Sequence, residues 1–161
     1  PAGTRVPQLI QNIDYAPTFL DYAGLPEREA IQGRSLRDVV DGKPPADWRE
    51  DIYYHYYEFP GAHSVAKHFG VRTKRHKLIH FYDLNEWELF DLETDPHELK
   101  SVYDDPAYAD VLVGMKKELI RIRKQYKDDG SVVEFGPPGS RRVQQQQARK
   151  DRAKKERANK N

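Results

Sequence analysis

His63, Lys67 and His68 fall within six residues of one another, in a stretch from Tyr53 to Glu98 that mixes strand-forming residues with an unusual density of His, Lys, Arg and Tyr. The two imidazoles are five residues apart, which sets them on neither one helix face nor one strand face. No carboxylate recurs at ligand spacing, so a metal pair is a poor reading. Imidazole can instead donate to an oxygen without burying a full charge. His68 first, then His63 and Lys67, are therefore candidates for hydrogen bonding to the hydroxyls of a sugar bound above a sheet edge. The competing reading is that both imidazoles pack or face solvent.

Other polar groups nearby have structural explanations beside the chemical ones. His76 and His80 face one side of a predicted strand, but four residues at about 3.3 Å each separate them by ~13 Å, too far to share an ion. They read as surface or interface groups. Tyr53, Tyr54, Tyr56 and Tyr57 around His55 would make an aromatic sugar platform; the alternative is a half-buried core with hydroxyls at its rim. Arg72, Lys74, Arg75 and Lys77 form a basic run suited to sulfate or a polyanion, with a solvated hairpin as the alternative for Lys74 and Arg75. Asp91, Asp95 and Glu98 sit where a strand exits into a turn before Pro96, and turn capping accounts for them without catalysis.

The elements that must position these groups are legible from periodicity. Four short β runs, Ile52 to Tyr57, Phe69 to Thr73, Lys77 to Tyr82 and Glu88 to Leu92, predict an antiparallel sheet with a hairpin turn at Thr73 to His76 and a second link at Asp83 to Glu86. Asp105 and Pro106 mark a helix start. Tyr108, Val111, Leu112, Met115, Leu119, Ile122 and Tyr126 then recur every three or four positions, so a helix of about twenty residues covers one sheet face. Ahead of the sheet, Asp14 is placed to cap a short helix that accepts Pro17 in its first turn and ends at Gly24, with an apolar stripe of Phe19, Leu20 and Ala23. Pro26, Gly33, Gly42, Pro44 and Pro45 punctuate a connector with one helical turn around Leu36 to Val40. The fold class is α+β, in three parts: 1–48 as helix and connector, 49–128 as sheet and helix, and 129–161 as a disordered or marginally helical tail.

The 161 residues are 37% hydrophobic and 33% charged, enough for one modest core. A net charge of +1 conceals an asymmetry, because residues 141–161 hold nine Lys or Arg against Asp151 and Glu156, leaving the tail at +7 and the rest at −6. No run of 18 apolar residues marks a membrane span, and no charged segment followed by an apolar run opens these residues. The absence of Cys excludes disulfides and thiolate metal sites.

Three ordered blocks, QNIDYAPTFLDYAGLP at 11–26, QGRSL at 32–36 and the stretch from Tyr53 to Glu98, resemble the C-terminal portion of type I sulfatases over about Pro1 to Lys127. These formylglycine-dependent enzymes belong to the alkaline-phosphatase-like superfamily, and the branch that fits acts on sulfated glucosamine in glycosaminoglycans and mucins, as N-sulfoglucosamine sulfohydrolase does. The family block H-x-V-x-x-H-[FY]-G-[VI]-R-T corresponds to His63 through Thr73. The resemblance implies a loop reaching toward substrate there, which favours His68, His63 and Lys67 as sugar contacts. It further implies a small antiparallel sheet packed on a long C-terminal helix, with the helix near Asp14 belonging to a larger α/β domain whose absence leaves its apolar face without a partner.

The family nucleophile lies in C-x-P-S-R or S-x-P-S-R, and none of Ser35, Ser64, Ser101, Ser131 and Ser140 stands in that pattern. By resemblance, calcium and formylglycine belong to an N-terminal catalytic half upstream of Pro1, which is also the expected partner domain. A sulfated amino-sugar glycan is the expected ligand, and a periplasmic, extracellular or lysosomal setting is expected of the complete enzyme. Lys100-Ser101 stands where the family often has Asn, and the basic tail extends past the family's usual end. Two other functions compete: a non-catalytic module binding acidic glycans, and a tail-driven nucleic-acid binder, which the lack of tail aromatics argues against.

Overall fold

A computed structural model describes residue 3, residues 5–61 and residues 63–129. The basic tail, and with it the nucleic-acid reading, lies outside the described residues from Gly130 onward.

The first elements are a 3-10 turn at Asn12–Asp14, helix α1 at Tyr15–Tyr22 and the short helix α2 at Arg37–Val40. Four strands follow, β1 at Asp51–Tyr56, β2 at His68–Thr73, β3 at His76–Phe81 and β4 at Glu86–Asp91, and helix α3 at Ala109–Gln125 closes the described chain. The strands form one antiparallel meander in the order β1-β2-β3-β4.

Register divides the sheet's side chains between two faces. Tyr53, Val71, Leu78 and Leu89 form one row across it, and His55, Phe69, His80 and Trp87 a second, all on the same face. Met115, Leu119 and Ile122 of α3 bury themselves against Phe69, Val71, Leu78 and Leu89 to make the main core. Each such aliphatic side chain contributes about 1.5–3 kcal/mol relative to exposure. Tyr54, Gly70, Ile79 and Glu88 form a row on the opposite face. A Cβ at Gly70 would run into the Tyr54 ring and the Leu78 carbonyl, so glycine here lets a tyrosine lie across the strand.

Helix α3 begins as expected. The Asp105 carboxylate accepts from the Ala107 N–H at 2.9 Å, and Pro106 opens a 3-10 turn that runs into the helix. Arg123 and Lys124 occupy its last turn, where cations complement the exposed carbonyls. Helix α1 ends at Gly24, whose φ of +66° is the left-handed cap, with the Leu25 N–H returning to the Leu20 carbonyl at 2.9 Å.

Several groups take structural roles that differ from their sequence reading. Asp14 precedes α1, but its side chain makes no helix cap. It is fully buried and receives Arg49 at 2.5 and 2.7 Å, the Gln11 N–H at 2.7 Å and the Arg34 N–H at 3.0 Å. An arginine 35 residues away and the Gln11 N–H just upstream take this carboxylate in place of the α1 amides. Asp14 thereby fastens the connector to the start of the sheet, and Gly33 is needed beside it because any Cβ would overlap the Ile13 carbonyl. Arg75, expected in a solvated turn, instead holds the buried Asp91 at 2.8 Å, assisted by the Tyr108 hydroxyl at 3.1 Å. Asp91 and Asp95 do accept turn N–H groups, from Glu93 and from Leu99 and Lys100, whereas Glu98 pairs with Lys77 rather than capping. His76 and His80 are half-buried on the face that packs α3, His80 stacked on Trp87 with centroids 3.9 Å apart.

Candidate functional site

Antiparallel order places the end of β1, the start of β2, the end of β3 and the start of β4 at one end of the sheet. The link from β1 to β2 there carries His63 and Lys67, and His68 is the first residue of β2.

His68 is half-buried and constrained from several sides. Its Nδ1 lies 2.8 Å from the Ala66 carbonyl oxygen. A carbonyl only accepts, so Nδ1 carries the proton and Nε2 of the neutral ring is a lone-pair acceptor. The neutral imidazole therefore offers an acceptor to a ligand hydroxyl, and only the protonated ring would add a donor there. Tyr56, its register partner on β1, stacks on the ring with centroids 5.4 Å apart and planes 21° apart. Phe81 closes in at 5.1 Å and Tyr54 meets the ring edge-on at 5.9 Å.

Lys67 is partly buried, its Nζ 3.7 Å from Asp83 in the link between β3 and β4. The structure thus brings Lys67 and His68 to the rim of the sheet together. His63 is exposed in the turn beside them, next to Ser64, whose φ is +52°.

Two clefts lie elsewhere. One of about 610 Å³ runs along β1 between Gln11, Ile13, Tyr53, His55 and Tyr126, and one of about 360 Å³ lies between α1 and Trp48. Neither is lined by His63, Lys67 or His68. Among the described residues no three His, Cys, Asp or Glu side chains converge to hold a metal ion. No helix among them is long and apolar enough to cross a membrane.

The model of the family "N-sulphoglucosamine sulphohydrolase, C-terminal" matches residues 1–125. The chain belongs to that family. The N-acetylglucosamine-6-O-sulfatase of Bacteroides thetaiotaomicron is 47% identical over 131 residues, covering 80% of this chain and 24% of that enzyme. A solved protein in complex with its substrate D-glucosamine-2-N,6-O-disulfate superposes with a TM-score of 0.70 at 45% identity, over 76% of this chain and 25% of its own. The phosphonate monoester hydrolase of Silicibacter pomeroyi superposes with a TM-score of 0.62 at 28% identity, over 73% of this chain and 26% of its own. The chain thus spans about a quarter of the length of these relatives, and it is a sulfatase C-terminal domain with the alkaline-phosphatase-like fold.

Within this sulfatase domain the buried polar groups sort into structural and available ones. The Asp91 carboxyl is held well below its usual range by the Arg75 hydrogen bonds, which prevail over burial. Burial pushes the Asp14 carboxyl up, but Arg49 and the N–H groups of Arg34 and Gln11 outweigh it and leave it lowered. Asp51, at the start of β1, is pushed up to about 6 by burial and by the neighbouring Glu118, despite Arg121 at 2.7 Å.

Two arrangements escaped sequence reasoning. Tyr53 and His55 both reach Asp128 just beyond α3, with His55 Nδ1 at 2.8 Å, and burial pushes the imidazole down in spite of that carboxylate. Tyr56 and Phe81 enclose His68. Only the strand register could have revealed that pair, because residues 56, 68 and 81 share no sequence period.

Proposed function

We propose that this chain shapes the sugar side of the active site of a sulfatase that hydrolyses sulfate esters, or sulfamates, of amino sugars in glycosaminoglycans or mucins. The observation that carries the reading is the half-buried His68 ring, fixed through Nδ1 and flanked by Tyr56 at the end of the sheet that carries Lys67. Support comes from the family match and from two relatives, one called an N-acetylglucosamine-6-O-sulfatase and one holding a disulfated glucosamine. Calcium and formylglycine, supplied by an upstream catalytic half, would carry the chemistry at sulfur. His68 accepts from a sugar hydroxyl, Lys67 supplies positive charge beside it, and His63 closes over the ligand from the loop. Contacts of this kind orient the leaving sugar and set specificity without changing bonds themselves.

The upstream half is also the partner for α1, whose Tyr15, Phe19 and Tyr22 form a stripe exposed at 53%, 71% and 56%. The expected setting is periplasmic, extracellular or lysosomal, where sulfated glycans occur.

The test is kcat/KM of the complete sulfatase carrying His68→Ala, on 6-O-sulfated N-acetylglucosamine and on an aryl sulfate that lacks sugar hydroxyls. Loss of one such hydrogen bond should lower the sugar value about tenfold and leave the aryl value in place. Unchanged turnover across a panel of sulfated sugars would contradict the role given to His68.

A further inference from the structure

We propose that Tyr56 and Phe81 are positioning residues for His68, gripping its imidazole from the strands on either side so that Nε2 is presented to the sugar; this rests on the reading of His68 as a sugar contact. Tyr56 stands directly opposite His68 in the pairing of β1 with β2, and their rings are nearly parallel, 21° apart at 5.4 Å. Phe81, the last residue of β3, approaches the ring at 5.1 Å with planes 49° apart. A ring held between two others cannot swing about its side-chain bonds without losing one of them. The Ala66 carbonyl at 2.8 Å then selects one of the two flipped orientations, because only an N–H can face it.

The Tyr56 hydroxyl is buried and finds no hydrogen-bond partner among the described residues, and its contact with His68 is made by the ring. Lys67, one residue earlier, is tied to Asp83 at 3.7 Å, which braces the approach to His68 from the other link at this end. A histidine meant only to fill space would need neither the carbonyl nor the flanking rings. Together these contacts fix both the plane and the orientation of the imidazole, and a hydrogen bond that is set before the ligand arrives loses less to ordering.

The experiment compares Tyr56→Leu, Tyr56→Phe, His68→Ala and the double variant Tyr56→Leu/His68→Ala in the complete sulfatase. Each is measured on 6-O-sulfated N-acetylglucosamine and on the aryl sulfate. Tyr56→Leu should lower kcat/KM on the sugar by about the same tenfold as His68→Ala and leave the aryl sulfate unaffected. Tyr56→Phe should restore the sugar value, and the double variant should lose no more than either single change, since both act through one contact. A normal sugar value for Tyr56→Leu beside a lowered one for His68→Ala would overturn the positioning role and leave the sugar contact standing. Equal losses on both substrates would overturn it by exposing a general structural defect. A normal value for His68→Ala would remove the sugar contact and the positioning role together. Should Tyr56→Leu fail to fold, Phe81→Leu bears the same comparison from the other side of the ring.

Discussion

Asp14 and Asp91 are each surrounded by an arginine and by N–H or O–H donors, which makes the charged form of each the favoured one. Both carboxyls are therefore lowered in the folded domain. Their stabilisation is fully present above the unfolded carboxylate range near pH 4 and is lost as pH falls through the folded values. Asp51 has the opposite sign. Its folded value of about 6 stands above the ordinary 3.8, so its contribution is greatest in acid and fades as pH rises toward 6. Thermal melts of the complete protein should show Asp51→Asn gaining on the native protein between pH 5 and pH 7.5. Asp14→Asn should cost about 3 kcal/mol at pH 7.5, because it leaves Arg49 buried beside a weaker acceptor. A melting temperature unchanged by Asp14→Asn would show that the connector does not depend on this pair.

Among the elements, those with a strong period were legible before any coordinates. The four strands and α3 lie within two or three residues of their predicted bounds, since alternation and a three-to-four repeat each reflect one buried face. The contacts between elements were not legible in the same way. Asp14 looked like a cap because an acidic residue before an apolar run is the local signal for one, while its actual partner Arg49 lies across a loop. His68 could be singled out from its own segment, but the rings around it come from two other strands.

Helix α1 carries the stripe expected of it, Phe19, Leu20 and Ala23, with Phe19 and Ala23 exposed and Leu20 half-buried. Phe19 is 71% exposed and the helix covers only Pro17 and Thr18 well. Phe19→Asp should lower the melting temperature of the complete sulfatase by several degrees and leave this chain alone unaffected, because an unpaired carboxylate is costly only where the stripe is covered. Equal melting shifts in both would mean that α1 does not face the upstream half.

At the scale of the whole molecule, the domain supplies a rigid frame and an unfinished rim. The frame is the sheet with α3 behind it, and its far face and open end carry the residues assigned to the sugar. The chain spans about a quarter of the length of its relatives, so the proposed sugar site would be completed by surface from the upstream half. The hydrolases that share this fold include a phosphonate monoester hydrolase, so the shared frame is compatible with different transferred groups.

The most direct measurement is a crystal structure of the complete sulfatase with 6-O-sulfated N-acetylglucosamine bound. His68 Nε2 should lie about 2.7–3.2 Å from a sugar oxygen, with Nδ1 still on the Ala66 carbonyl and the ring between Tyr56 and Phe81. A sugar bound with His68 turned away, or sealed behind protein and out of reach, would contradict it.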